Sequence, residues 1–268
     1  MHPVAAAGFA SAADVYDRAR PSYPEEAVAW MAQRCELGEG KTVVDVGAGT
    51  GKLTRLLPTT RAHVIAVEPV AEMRAKLTGV QALDGTAEEI PLPDGSADVI
   101  TVAQAFHWFD HERALPELHR VLKPGGTFAA TVPSEWPEKI NWRLSDEYHA
   151  PKSVGGHVRI YSSTELKAKL RSAGLDVTGD HHAHALHSPY WWLKCAVGPR
   201  RTDSRAVNSY QRLLEWEIVE QPRSMRVVER ALSPVLGKSY VIYARKAVNG
   251  VRASAHARTD EARLVGGA

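Results

Sequence analysis

The stretch VVDVGAGTG at residues 43–51 decides the fold class of this 268-residue chain. Three valines and one aspartate form a short, mainly apolar run that passes directly into a turn containing three glycines. Because glycine lacks a Cβ atom, it lets the backbone turn sharply and lets a ligand approach the main chain closely. The alternative interpretation is a tight turn between a strand and a helix with no ligand. The spacing is GxGxG, whereas dinucleotide-binding loops have GxGxxG.

An acidic residue follows the next apolar run along the chain. Glu68 comes directly after residues 63–67, about 20 residues beyond the glycine loop, where such an acid accepts hydrogen bonds from ribose hydroxyls. The alternative is a surface glutamate placed before Pro69. Residues 84–98 then supply a loop and a turn between the third and fourth apolar runs, where an adenine ring fits.

Short apolar runs alternate with helical patterns along most of the chain, which predicts right-handed βαβ units and a parallel sheet. The predicted strands are residues 42–46, 63–67, 80–83, 97–103, 127–132, 175–186 and 239–245. The predicted helices are residues 16–34, 52–57, 70–77, 113–122, 136–150, 164–173 and 205–220. Asp110 is expected to cap the fourth of these, and Pro116 suggests that its regular part begins near that proline.

Composition and charge exclude several classes of protein. A formal net charge of +2 argues against a protein that mainly binds nucleic-acid phosphates. Cys35 and Cys195 form no CxxC pattern, so neither disulfides nor a zinc site is expected. No apolar run reaches the roughly 18 residues that a membrane helix needs, and residues 1–13 lack the features of a signal peptide. We therefore expect a cytoplasmic protein without membrane contacts.

Five segments in the first half of the chain resemble class I S-adenosylmethionine (SAM)-dependent methyltransferases. They are DVGAGTG at 45–51, VEP at 67–69, AEEIPLPDGSAD at 87–98, AQAFHWFD at 103–110 and RVLKPGG at 120–126. The whole stretch 43–132 is most similar to methyltransferase type 11 domains of the small-molecule group that includes trans-aconitate methyltransferase-like enzymes. YDRARPSYP at 16–24 resembles the lead-in segment of that group. A dinucleotide-binding dehydrogenase, the nearest alternative, leaves the HWFD and LKPGG segments unexplained.

The resemblance implies an α/β fold with a Rossmann-like, seven-stranded, mostly parallel sheet, helices on both faces and an antiparallel last strand. It also implies an N-terminal helical lid at residues 1–37 and a methyltransferase domain at 38–248. Within that domain we expect a SAM-binding core at 42–133 and a cap with the substrate part at 134–238. Residues 249–268 show no lasting periodicity and are expected to form a disordered tail.

The resemblance assigns the central contacts to SAM. Asp45 and the backbone of the glycine loop (Gly47, Ala48, Gly49 and Gly51) would hold the methionine portion, and Glu68 would hold the ribose. Thr86, next to Ala87 at the adenine edge, stands where family members often carry an aspartate. Glu88 or a backbone group would replace that contact to the adenine amino group.

Residues outside the loop complete the expected SAM site. Pro69 and Met73 would flank the adenine. Ala103 and Gln104, at the end of the fourth strand, would meet the methionine end of the ligand. Tyr16 and Arg20 would close over the cofactor, because a guanidinium fork suits a carboxylate.

The acceptor side is less clearly marked. His107 follows the fourth strand, where a neutral imidazole can act as general base or bind the acceptor; packing within the fold is an alternative of equal weight. Trp108 would wall the pocket, with core packing as its alternative. Arg159 would hold an acidic acceptor and Tyr161 would line an aromatic pocket, or both belong to a solvated cap.

Four histidines close together in the sequence invite a metal interpretation: His181, His182, His184 and His187. No Asp, Glu or Cys accompanies them at ligand spacing, and methyl transfer needs no metal, so we expect none.

These features predict a SAM-dependent methyltransferase that acts on a small molecule, at oxygen, with a carboxylate among the candidate groups. Methyl transfer is an in-line displacement that depends mainly on alignment, and a base is needed only where the acceptor must lose a proton. One alternative is an RNA or protein methyltransferase, although no NPPY motif follows the fourth strand. The other is a SAM-binding protein that transfers no methyl group. The oligomeric state is left open.

Overall fold

The computed structural model of the chain describes residues 23–148, 157, 159–220 and 222–248. Seven strands in these ranges form one sheet in the order β3-β2-β1-β4-β5-β7-β6. The strands are β1 (Thr42–Val46), β2 (His63–Val67), β3 (Gln81–Leu83), β4 (Ala97–Ala103), β5 (Leu122–Pro133), β6 (Leu175–Ala183) and β7 (Ser239–Lys246). The pairs among β1 to β5 are parallel, and β7 is antiparallel to both β5 and β6. The predicted mostly parallel sheet with an antiparallel last strand is confirmed.

Eight α-helices lie within the same described ranges. They are α1 (Glu25–Arg34), α2 (Ala71–Arg74), α3 (His111–Val121), α4 (Glu135–Leu144), α5 (Ser163–Ser172), α6 (His187–Val197), α7 (Arg205–Glu220) and α8 (Arg223–Leu236). Two short 3-10 helices, Leu57–Thr60 and Phe106–Trp108, follow β1 and β4. No described helix is long and apolar enough to cross a membrane.

Alternate residues of the strands pack on opposite faces of the sheet. Val44 and Val46 join one apolar cluster with Leu118 of α3 and Leu166 of α5, whereas Val43 joins a second cluster against α1. Burial on both faces is what a parallel sheet requires, since βαβ connections place helices on each side. The prediction of helices on both faces is therefore confirmed.

The helix predicted at 52–57 is wrong. Consecutive turns occupy residues 52–56, and the 3-10 helix Leu57–Thr60 follows them. Arg55 still donates a helical hydrogen bond to Gly51, but Leu56 and Leu57 donate to carbonyls only three residues back. Pro58 has no N–H and disfavours the α conformation in the residue before it, which destabilises an α-helix at this point.

Helix α3 begins earlier than Pro116 suggested. Asp110 caps it as predicted, with its carboxylate accepting a hydrogen bond from the backbone N–H of Glu112 at 3.2 Å. The proline sits inside the helix and removes a single backbone hydrogen bond. Burial of Ala114 and Leu115 holds the first turn against the sheet and offsets that loss.

The region after β5 departs most from prediction. The helix expected at 136–150 covers Glu135–Leu144, and the sixth strand ends at Ala183 because His184 adopts a left-handed backbone. α7 matches its predicted bounds, whereas α6 and α8 have no counterpart among the predicted elements. Residues 1–22 of the predicted lid segment 1–37 lie outside the described residues, as does the predicted tail 249–268.

Candidate functional site

The expected SAM-binding residues that are described gather at the carboxyl edge of the sheet, near the ends of β1, β2 and β4. The strand order runs one way from β1 to β3 and the other way from β4 onward, so the connections part between β1 and β4. Ligands of open α/β sheets bind in the crevice at such a point, outside the carboxyl ends of the strands.

The three glycines of the loop after β1 all have left-handed backbones, with φ of +70° at Gly47, +58° at Gly49 and +86° at Gly51. A Cβ atom on Gly47 would lie 2.8 Å from the Cβ of Ala105, and one on Gly51 would lie 2.7 Å from Cδ2 of Leu77. Gly47 is therefore required by the protein's own packing, whereas a Cβ on Gly51 would meet only the end of the flexible Leu77 side chain.

Gly49 differs from the other two glycines of the loop. The nearest heavy atom to a Cβ built there is Sδ of Met73, at 3.9 Å, so no protein atom crowds this position. Open space beside a left-handed backbone is what close approach of a ligand requires. Thr50 also indicates a ligand position here, because its hydroxyl oxygen is buried and has no hydrogen-bond partner in the described part of the chain.

Glu68 ties the loop to the end of β2. Its Oε2 accepts a hydrogen bond from the backbone N–H of Gly49 at 2.8 Å, and its Oε1 accepts one from Val70 at 2.9 Å. Burial raises the pKa of Glu68 despite these two hydrogen bonds. A carboxylate offers about four acceptor positions, so two remain for ribose hydroxyls.

Asp45 lies beneath the loop and is 1% exposed. Its Oδ2 accepts a hydrogen bond from the hydroxyl of Thr54 at 2.6 Å, and its Oδ1 accepts one from Thr101 of β4 at 2.8 Å. Burial raises the pKa of this carboxyl group above its usual value. Neither threonine was predicted as a site residue, because neither belongs to the five segments that resemble the methyltransferases. The contact of Asp45 with the methionine portion stays a prediction.

The adenine side is formed by the segments after β2 and β3. Met73 and Ala87 are buried, and Thr86 pairs with Glu89 in an isolated antiparallel bridge. Oε1 of Glu88 accepts a hydrogen bond from the backbone N–H of Asp110 at 2.8 Å, so this oxygen anchors the start of α3. Its expected contact with the adenine amino group stays a prediction, as do the roles of Pro69, Thr86 and Ala87.

His107 lies in the 3-10 helix after β4 and is 1% exposed. Its ring stands edge-on to the ring of His157, with 4.8 Å between centroids. Nη1 of Arg159 donates to the carbonyl oxygens of Phe109 at 2.7 Å and of His107 at 3.4 Å. The structure thus brings the predicted base and Arg159 together, with the guanidinium bound to backbone.

Trp108 and Tyr161 are both buried in the core cluster under the sheet. The hydroxyl of Tyr161 pairs with Nε2 of His111 at 2.8 Å, and burial raises its pKa. These are packing contacts, and a role in acceptor binding stays a prediction for both residues. Tyr16 and Arg20 lie outside the described residues.

A buried ion network, which the sequence did not indicate, joins α4 to the start of β7. The fully buried carboxylate of Glu138 pairs with Nδ1 of His157 at 2.5 Å and with the ammonium group of Lys238. These three residues are too far apart in the sequence to form a local motif. The network lies against His107 through the ring of His157.

The residues present fit SAM. An uncrowded left-handed glycine, a buried hydroxyl without a partner and an acid with spare acceptor positions meet at one strand crevice. In the described part of the chain, no three His, Cys, Asp or Glu residues are placed to hold a metal ion.

Several known proteins are similar to this chain. A profile described as a methyltransferase domain matches residues 44–130. An uncharacterized methyltransferase of Mycobacterium tuberculosis is 48% identical over 138 residues, which cover 50% of this chain and 55% of the relative. An uncharacterized methyltransferase of Schizosaccharomyces pombe is 36% identical over 177 residues, which cover 58% of this chain and 67% of the relative. The chain thus spans about half the length of the mycobacterial relative.

A solved structure shares the fold. A SAM-dependent methyltransferase of Thermotoga maritima, described as a possible histamine N-methyltransferase, has a TM-score of 0.57 at 23% identity. That match covers 90% of this chain and 99% of the other, and at this identity it bears on the fold alone. Since the S. pombe relative is matched over 67% of its length and the profile spans the glycine loop, the chain belongs to the class I SAM-dependent methyltransferases.

Proposed function

We propose that this protein transfers the methyl group of SAM to a small-molecule acceptor, at an oxygen atom, with a carboxylate among the candidate groups. The observation that carries the proposal is the hydrogen bond between Glu68 and Gly49, an uncrowded glycine at the strand crevice. We expect the remaining acceptor positions of Glu68 to bind the ribose of SAM. Bound SAM supplies an electrophilic methyl group and a neutral leaving group.

The residues of the chain would bind and orient SAM and the acceptor, and they would exclude water from between them. Asp45 and Glu68 place two carboxyl groups beside a ligand that carries positive charge, and Glu68 holds the loop in its ligand-ready shape. With SAM bound, its methyl group would pass to a carboxylate oxygen of the acceptor, and sulfur would keep the electron pair of the broken bond. The product would be a methyl ester and no proton would move, so alignment of SAM and acceptor by these residues would supply most of the rate.

Support for a small acceptor comes from the segments that follow the strands at this edge. Helix α4 packs on α6, and α8 packs on β6, within the part of the chain where we expect the acceptor to bind. Small-molecule sites are usually concave and largely enclosed. The formal net charge of only +2 also argues against a long polyanion as the acceptor.

The test uses SAM labelled in its methyl group and a cell extract separated into metabolites, RNA and protein. We expect label in the metabolite fraction with the wild-type chain and none with Glu68→Ala. Label in RNA or protein instead would establish the alternative acceptor class. Binding of SAM by calorimetry without label in any fraction would mean that the protein binds SAM and transfers nothing.

A further inference from the structure

Two non-glycine residues at the carboxyl edge have strained backbones. Gln104, just after β4, has φ of 55°, and His184, just after β6, has φ of 65°. They are two of the four non-glycine residues with positive φ within the described ranges. Such conformations cost of order 1 kcal/mol or more and cluster at ligand sites, where the surroundings hold them in place.

The two strained residues meet at one hydroxyl group. Nε2 of Gln104 lies 3.1 Å from Oγ of Ser239, and Nδ1 of His184 lies 3.2 Å from the same oxygen. Ser239 begins β7, and because β7 is antiparallel to β5 its start lies at the carboxyl edge of the parallel strands. Two hydrogen bonds through Ser239 therefore connect His184 to Gln104. Gln104 follows the end of β4, where the ligand crevice lies.

Contacts from two other elements fix the backbone of His184. Its carbonyl oxygen accepts a hydrogen bond from the N–H of Lys238 at 3.2 Å. The carboxylate of Glu229, on α8, accepts hydrogen bonds from the N–H groups of Ala185 at 2.5 Å and Leu186 at 3.1 Å. A strained residue held from both sides is positioned by the fold, as a binding residue must be.

The contact with Ser239 fits either tautomer of a neutral His184 ring. The amide of Gln104 donates to the serine oxygen, which can accept a second hydrogen bond or donate its own hydrogen. Where the serine donates to Nδ1 of His184, the proton of the neutral ring sits on Nε2. Surrounding protein lowers the pKa of His184 by desolvation, while part of the residue stays exposed to solvent.

A second histidine, His187, lies beside His184. The rings of His184 and His187 lie 5.3 Å apart between centroids. Nδ1 of His187 is buried and has no hydrogen-bond partner among the described residues. An unsatisfied buried polar atom beside an exposed ring marks a place where a polar ligand group completes the hydrogen bonding.

We propose that His184 binds the methyl acceptor, with its Nε2–H donating a hydrogen bond to an oxygen of a small carboxylate held in the crevice beside Gln104. This inference rests on the proposed function and deepens it by naming one acceptor-binding residue and the acceptor class. A neutral N–H donor suits a carboxylate, because one oxygen is held while the other attacks.

The matched pair His184→Asn and His184→Gln tests the role. Asparagine tolerates a left-handed backbone, so His184→Asn should be at least as stable as wild type in thermal unfolding. It places no donor at the position of Nε2, so we expect KM for the acceptor to rise about tenfold, with Kd for SAM unchanged. Glutamine places an amide N–H near that position and should restore most of the acceptor affinity.

The probes are a panel of small mono- and dicarboxylic acids with methyl-labelled SAM, and His63→Ala, an exposed residue at the opposite edge, is the control. An unchanged acceptor KM in His184→Asn would overturn the role of His184. So would an Nδ1–H tautomer in long-range nitrogen-15 NMR of the wild-type ring. Label in other metabolites but in no carboxylate overturns the inference and leaves the proposed function intact. Label in neither means that the proposed function itself has failed.

Discussion

Oε2 of Glu68 accepts a hydrogen bond from the backbone N–H of Gly49 at 2.8 Å. The other oxygen of the same carboxylate binds the N–H of Val70, just before α2. Glu68 and the glycine loop are therefore coupled, since a change at residue 68 removes an acceptor for the N–H that shapes the loop.

Replacing Glu68 by Gln should weaken SAM binding by about tenfold or more. The amide group would turn an N–H donor toward either Gly49 or Val70, and hydrogen bonds to a charged group are worth about 1.5–3 kcal/mol. Calorimetric titration with SAM measures the change, and Glu72→Gln, an exposed acid on α2, is the matched control. Equal affinity in the two variants would contradict the assignment.

The glycines of the loop should separate into a packing position and a ligand position. Gly49→Ala should abolish SAM binding with a small loss of stability, because nothing lies closer than 3.9 Å to the new Cβ. Gly47→Ala should lower Tm further, because its Cβ would lie 2.8 Å from that of Ala105. Gly79→Ala, left-handed with nothing within 4 Å, measures the backbone strain alone. Wild-type SAM affinity in Gly49→Ala would refute the ligand position.

The stability contributed by Asp45 should depend on pH. Burial raises its pKa in the folded state, so its contribution is fully present below the unfolded pKa near about 4 and is lost as pH rises through the folded value. Asp45→Asn should therefore gain in free energy of unfolding, relative to wild type, as pH rises from about 4 to 8. Urea unfolding across that range measures it, with the exposed Asp176→Asn as control. A constant difference would contradict the argument.

Local patterns were enough to predict the core of the fold and the position of Glu68 beside the glycine loop. β1, β2 and β4 match their predicted bounds because each is a mainly apolar run that ends before a glycine, an acid or a polar residue. Glu68 and the glycine loop were predicted to converge because the ends of neighbouring parallel strands share an edge. The helix after β1 was mispredicted because Pro58 destabilises an α-helix there despite the helical spacing of the apolar residues.

The rest depends on contacts between distant parts of the chain. Helix α8 has no counterpart among the predicted elements; Pro222 lies at its N-cap and Pro234 lies near its end, where a proline removes one backbone hydrogen bond. The contact of Gln104 with Ser239 spans 135 residues, and no spacing rule joins them. The left-handed backbone of His184 is imposed by Glu229 and Lys238, so the residue itself gives no signal.

His107→Ala should lower turnover more than SAM affinity. For a hydroxyl acceptor we expect kcat to fall by about 100-fold, the lower end of general-base contributions, with Kd for SAM changed by less than about twofold. The ring packs against His157, so circular dichroism and Tm are measured alongside to separate folding from chemistry. An equal loss of turnover and SAM affinity would show that His107 has a structural role.

The buried carboxylate of Glu138 should make the fold sensitive to acid. Burial alone would raise its pKa, but His157 and Lys238 outweigh that effect and hold the pKa well below its usual value. A lowered folded pKa contributes stability above the unfolded pKa of about 4.3, and this is lost as pH falls further. Wild type should therefore lose stability below about pH 5 more steeply than Glu138→Gln does.

At neutral pH, Glu138→Gln should lose about 3–5 kcal/mol of stability, because it leaves the ammonium group of Lys238 with the hydroxyl of Tyr148 and an uncharged amide as partners. Glu135→Gln on the same helix breaks only an exposed pair with Lys139 and should lose about 1 kcal/mol or less. Urea unfolding of both variants at pH 4 and pH 7 measures the difference. If the two variants were equally stable at pH 7, the buried network of Glu138, His157 and Lys238 would contribute no more to stability than the exposed pair of Glu135 and Lys139.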